Sequence, residues 1–434
     1  MKKGFTLLFV VCFFCCSSSS AQVRRGKVKR MIRQSAIVQD HFTGFALYDL
    51  AKEKMVYEQF GDKYFTPASN TKLFTFYACM HMLGDSIPGL RYVTRGDTLI
   101  FWGTGDPTFL HPDFEKQPVY DFLKSWKGPL VYASGNYEGN FYGRGWQYDD
   151  YNDYYQPEKS ELPVYGNIVR VKESGGKLLL NPAFFSGVFF ADSTHTGDFY
   201  IRRKLEENRF DVTPGEVPAK FGQDIPFKTA PFLTATLLKD TLKRNIRVIR
   251  MTPPAYAKTL YSMPSDTVYR HMLQPSDNFM AEQLLLLCGT EKLHRMNADS
   301  VIAYAKRTLL SDLPDEPQWA DGSGLSHQDL FTPRSIIALL RKIYAERKDE
   351  ALLFSLMPEG GRSGTLRNVY RSESKPFVFA KTGSLSNVHN QSGYLVTKKG
   401  RRLIFSFMNN QYVRPTKEIR DEMVRIMTRI HNEF

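Results

Sequence analysis

Between Asn70 and about Leu83 the chain carries a stretch whose aromatic and aliphatic residues, among them Leu73, Phe74, Phe76, Tyr77 and Met80, fill most of a helix surface. A helix that is apolar on most faces must be buried on most faces, so the rest of the chain has to wrap around it. Thr66-Pro-Ala-Ser69 opens this helix. A serine there reads first as an ordinary helix cap. Lys72, however, lies three positions on, and that spacing turns Ser69 and Lys72 to the same side.

The 434-residue chain offers material for two or three domains. Gly44–Leu50 and Met55–Phe60 alternate like the arms of a hairpin around the charged turn Ala51–Lys54. Residues 89–232 are rich in short strands, glycine and aromatics. Helical periodicity returns at Ala230–Leu242, after Ser276, around Ser300–Leu310 and at Thr332-Pro333, where proline suits a first turn. Strands are predicted at Phe377–Ala380, Ser392–Val396 and Arg402–Phe407. A closing helix follows, with Ile419, Met423, Ile426 and Ile430 on one face. This predicts an α/β catalytic domain (residues 22–88 and 233–434) interrupted by a β-rich insertion over 89–232.

Residues 1–21 read as a signal peptide: Lys2 and Lys3, an apolar run Phe5–Phe14, then small residues to Ala21. A lipoprotein signal ending at Cys15 or Cys16 is the alternative, with bulky phenylalanines just before those cysteines against it. The expected location is therefore the periplasm. Only Cys79 and Cys288 fall outside the leader, too few for a disulfide framework; two buried thiols on separate helices are expected, with one bridge as the alternative. The nine histidines form no His-x-x-x-His beside an acid, so local spacing predicts neither a metal site nor zinc hydrolysis, and no cofactor is expected. The net charge of +13 points to an anionic partner, a cell-wall polymer or a membrane surface. No basic helix, finger or aromatic RNA-binding signature accompanies it, which argues against nucleic acid. Oligomeric state is not legible.

Three short patterns stand in order: Ser69-Asn-Thr-Lys72, Ser276-Asp-Asn278 and Lys381-Thr-Gly383. Each is weak alone. Ser-x-x-Lys recurs at Ser372–Lys375 and Ser-x-Asn at Ser134–Asn136, but Pro376 disfavours a helix through the first and no helix follows the second. Lys-Thr-Gly occurs once, where ordinary residue usage gives about 0.1 hits. A serine hydroxyl needs a base, and a lysine serves once desolvation and a second cation depress its pKa. Lys381 is the expected second cation. Gly383 lets a backbone approach the strand edge, and Lys381 with Thr382 can hold a carboxylate.

With these motifs the chain resembles the class C low-molecular-mass penicillin-binding proteins, the D-alanyl-D-alanine carboxypeptidase/endopeptidase family with inserted domains after the first catalytic helix. Further matches lie at Gly105–Thr108, Gly145-Trp146, Ala281-Glu282, Asp321–Ser326, Gly364–Leu366 and Lys381–Leu385. The resemblance implies a transpeptidase fold, an antiparallel sheet with helices. It implies Ser69 as nucleophile, Lys72 as base, Ser276 as proton relay and Asn278 holding the substrate amide and Lys72. The amides of Ser69 and Ser384 would form the oxyanion hole, and Lys381, Thr382 and Ser384 would bind the terminal carboxylate. It implies peptidoglycan stem peptides as substrate and β-lactam antibiotics as covalent inhibitors. The insertion's aromatics and acids, notably Trp146, Asp149, Asp150, Tyr154 and Tyr155, are expected to grip the far end of the peptide, or else to pack the insertion's own core. The rival readings are a β-lactamase, disfavoured by size and by the lack of a Glu-x-x-Leu-Asn loop, and an idle peptidoglycan-binding protein, disfavoured by the intact lysine pair.

Overall fold

The computed structural model describes residues 16–194, 197–372 and 375–434. Most of the leader thus lies outside the described residues, as does the middle of the second Ser-x-x-Lys pattern. The first described element is the helix Cys16–Arg33.

The catalytic part is built on a five-stranded antiparallel sheet in the order Val378–Leu385, Val388–Val396, Arg402–Asn410, Phe42–Asp49, Lys54–Gln59. Alternation along its strands feeds two cores. Ala46, Tyr48, Tyr394, Ile404 and Met408 face the helix Lys72–Met82 and its neighbours. Phe45, Leu47, Leu395, Phe405 and Phe407 face the closing helix Thr416–Glu433, which delivers Ile419, Met423, Ile426 and Ile430 as expected. The hairpin, the Pro231–Leu242 helix and the Pro333–Glu346 helix, capped by Thr332, also match their predicted places. The strand expected to stop at Ala380 continues to Leu385, because Lys381, Thr382 and Gly383 pair with Ser392, Gln391 and Asn390 of the next strand.

The helix Asn278–Cys288 is buried from end to end and packs on Lys72–Met82, so two apolar helices support each other's catalytic ends. Cys79 and Cys288 are both buried and free, with their sulfurs 3.6 Å apart.

The inserted region carries a second five-stranded sheet in the order Ile246–Arg250, Leu130–Ser134, Thr98–Gly103, Ser86–Arg95, Lys258–Pro264, and two three-stranded sheets. Its strands reach from Ser86 to Pro264, on both sides of the expected limits at 89 and 232. The entering and leaving strands are neighbours, with Ser86 opposite Pro264 and the Ser265 amide donating to the Asp85 carbonyl at 2.9 Å.

Candidate active site

Ser69 lies in a 3-10 turn, Ala68–Thr71, that runs into the helix Lys72–Met82, and no side chain caps either element. The capping reading of Ser69 therefore fails. Its Oγ accepts a hydrogen bond from Lys72 Nζ at 2.9 Å. Ala68 holds φ 47°, a conformation that costs a non-glycine residue about 1–3 kcal/mol. Gly324 makes room for it, since a Cβ there would stand 1.9 Å from the Ala68 carbonyl oxygen.

Lys72 is fully buried, and its Nζ also donates to Asn278 Oδ1 at 2.6 Å and to the Ser323 carbonyl at 2.7 Å. Burial pushes its pKa down to about 8, while Asp321, Asp277, Glu282 and Asp329 pull the other way. Lys381 Nζ donates to Ser276 Oγ at 2.7 Å and to the Thr382 carbonyl at 2.8 Å. Its pKa falls well below the lysine range, through burial first and the Lys72 charge second. Burial is thus the main cause that lowers Lys72, and Lys381 stands close enough for the two lysine charges to act on each other. Ser276 stands at φ 67°, so both serines sit at or beside strained backbone. Gly383 also receives a different reason from the one expected. A Cβ there would lie 2.5 Å from the Pro67 carbonyl oxygen and 2.9 Å from the Ser69 amide, so the turn that carries Ser69 claims that space.

Beneath Lys72 lies a group of acids that spacing did not reveal. Buried Glu282 accepts the amides of Gly322 and Ser323 at 2.9 and 2.8 Å, which fixes the carbonyl that receives Lys72. Its other oxygen has Lys159 Nζ at 3.8 Å, and burial, followed by Asp321, raises its pKa to about 7. Asp321 accepts the amides of Gly324 and Ser326, both at 2.7 Å, and the Trp146 Nε1–H at 2.8 Å. Lys159 and Trp146 both come from the insertion, and the Lys159 ammonium sits 5.4 Å from the Trp146 ring. The Tyr155 carbonyl accepts Asn278 Nδ2 at 3.0 Å. The insertion therefore touches the group of residues around Lys72 directly.

A cleft of about 480 Å³ opens over Ser69. Ser276, Asn278, Thr382 and Ser384 line it together with Asp150, Tyr154 and Tyr155 of the insertion. Thr382 Oγ1 donates to Thr365 Oγ1 at 2.7 Å, and Ser384 Oγ is 2.8 Å from His389 Nδ1. Thr365, inside the Gly364–Leu366 match, and His389, which had no local signal, join the site. Asp149 is exposed and outside the lining; Asp150 occupies the place foreseen for it, with its pKa raised chiefly by burial.

The D-Ala-D-Ala carboxypeptidase 3 (S13) family matches residues 24–430. The chain belongs to that family. It is 23% identical to the D-alanyl-D-alanine carboxypeptidase DacB of Haemophilus influenzae over 90% of each chain. It is 25% identical to the D-alanyl-D-alanine carboxypeptidase of Actinomadura sp. (strain R39), over 86% of this chain and 78% of that one. The crystal structure of penicillin binding protein 4 (dacB) from Haemophilus influenzae superposes with a TM-score of 0.74 at 20% identity, covering 94% of this chain and 98% of that one. This S13 chain accordingly has the penicillin-binding fold anticipated from its motifs.

Proposed function

We propose that this S13 peptidase is an exported serine D,D-peptidase that removes the terminal D-alanine of peptidoglycan stem peptides and opens D,D cross-links through an acyl-enzyme on Ser69. The observation that carries this reading is the Lys72 ammonium, held between Ser69 Oγ and Asn278 Oδ1 in a buried site that lowers its proton affinity. Neutral Lys72 takes the Ser69 proton as Oγ attacks the carbonyl between the two D-alanines. The amides of Ser69 and Ser384 face the developing oxyanion, each worth about 2.7–4 kcal/mol in such sites. Ser276, bonded to Lys381, relays a proton to the leaving amine. Thr382, Ser384 and Lys381 hold the terminal carboxylate, and the peptide lies along the Val378–Leu385 edge. Water then releases the acyl group.

Asp150 and Tyr154, in the same cleft, suit the far end of the stem peptide, where a carboxylate meets the free amino group of a diamino acid. The test is fluorescent penicillin labelling followed by mass mapping of the adduct, then digestion of purified cross-linked wall. The adduct is expected on Ser69, with D-alanine and uncrosslinked muropeptides among the products. A label elsewhere, or intact wall after digestion, would sink the reading.

A further inference from the structure

One group of nitrogen and oxygen donors lies outside the machinery described so far. His111 and Asp113 belong to the insertion, just after the Thr98–Gly103 strand; His271 belongs to the helix Ser265–Leu273 of the catalytic part. Asp113 Oδ2 is 4.0 Å from His111 Nδ1 and 3.6 Å from His271 Nε2, and the three donor atoms lie within 4.8 Å of one another. Asp277 Oδ2 stands 3.9 Å from His271 Nε2, while its Oδ1 caps the helix Asn278–Cys288. Metal–ligand bonds of about 2.0–2.2 Å place tetrahedral donors about 3.3–3.6 Å apart, so modest side-chain rotations bring His111, Asp113 and His271 to bonding distance.

Three features favour a cation over a plain polar contact. His111 Nδ1 accepts the Asp113 amide in a long hydrogen bond of 3.2 Å, so that nitrogen is the unprotonated one, and a bound cation would take over its single lone pair from the amide. The opposite edge of the ring lies against Gly166, where a Cβ would meet His111 Nε2 at 3.0 Å. Phe114 packs on both imidazoles and holds their planes. The charges around the set are Asp113, Asp277 and Asp224 against the single guanidinium of Arg170. Arg170 reaches Asp224 at 2.8 Å and both Asp113 oxygens, at 2.5 and 3.4 Å, as an outer partner that orients a ligating carboxylate. The excess of two negative charges matches a dication.

We propose that His111, Asp113 and His271 form a site for a zinc-class divalent cation, with water as the fourth ligand. Two imidazoles and one carboxylate are a borderline donor set suited to zinc, whereas calcium and magnesium ask for oxygen alone. The ion clips the insertion, which supplies His111 and Asp113, to the helix Ser265–Leu273 that leads into Ser276 and Asn278. The expectation of no metal site rested on local spacing, which is blind to donors brought together from distant segments.

The experiment uses the untagged chain, stripped with chelator and titrated with Zn²⁺ against a chromogenic zinc chelator. One tight equivalent is expected. His271→Asn and Asp113→Asn should each weaken it about 10–100-fold, and His81→Ala, which removes the histidine paired with Glu346 elsewhere, should leave it intact. Cobalt in place of zinc should give the intense visible absorption of a four-coordinate ion, a readout that needs neither a variant nor activity. Absence of a tight equivalent, equal affinity in His271→Asn and the parent, or a weak six-coordinate cobalt spectrum would each overturn the site. Because binding is read directly, these outcomes stand apart from the fate of the peptidase reading.

Discussion

The two walls of the cleft are made differently. On the motif side, Lys72 and Lys381 are fully buried, and their hydrogen bonds end on neighbours within the fold. On the insertion side, Tyr154 is 69% exposed, and Asp150 and Tyr155 are half-buried. A buried, fully bonded group is positioned before any ligand arrives, whereas an exposed aromatic gains its contacts only when a ligand covers it. Chemistry should therefore fail abruptly when the first wall is altered, and recognition should fade gradually when the second is.

The sharpest break is Ser69→Ala, which should abolish covalent penicillin labelling while the circular dichroism spectrum stays unchanged. Ser372→Ala should label like the parent, and the reverse pattern would reassign the nucleophile. Next comes Lys72→Arg, expected to be nearly as slow in acylation as Lys72→Ala, a loss of at least about 10²–10⁴-fold. Arginine keeps the charge but not the ability to give up a proton. An active arginine variant would mean that Lys72 works only through its charge. In the parent, acylation should climb about tenfold per pH unit toward pH 8, as Lys72 loses its proton, and then level off; a flat profile from pH 6 to 9 would remove Lys72 as the base.

A third break lies where the walls meet. Lys159→Met leaves Glu282 buried without its cation and should cost about 3 kcal/mol in urea unfolding. Adding Glu282→Gln should restore much of that loss, because no carboxylate is then stranded. If the double variant is as unstable as Lys159→Met, the pair is not coupled. The gentlest test concerns Asp150→Ala and Tyr154→Ala. Each should lower kcat/KM for a full stem peptide about tenfold while penicillin acylation barely moves, since remote contacts serve only substrates long enough to reach them. Asp149→Ala provides the comparison on an exposed neighbour, and equal losses on both substrates would leave only a packing role.

This contrast also explains what the sequence disclosed. Ser69 and Lys72 share one helical turn, so their alignment follows from spacing, and Lys381-Thr-Gly383 announces itself by rarity. The alternation that placed the sheet and the closing helix is likewise local. The Lys159–Glu282 pair and the Trp146–Asp321 bond join segments far apart in the chain, with no periodicity to betray them, and His389 meets Ser384 only because the two strands pair across a hairpin. Asp149 and Asp150 are adjacent identical residues, and only the backbone of the short turn Tyr148–Asn152 decides which one meets the cleft. The reach of the second sheet to Pro264 was hidden because Ile246–Arg250 and Lys258–Pro264 find their partners in Leu130–Ser134 and Ser86–Arg95.

The meeting of Ser86 with Pro264 bears on how such a chain can be shortened. An excursion whose two ends are hydrogen-bonded neighbours adds little closure entropy to the host, and hosts tolerate insertions at such points. A version spliced from Asp85 to Ser265 through a short turn would keep all five strands of the catalytic sheet and both apolar helices beneath it. What it would lack is the Lys159 cation beside Glu282, the Trp146 donor to Asp321 and the Tyr155 carbonyl that receives Asn278, so a workable minimal enzyme has to replace all three.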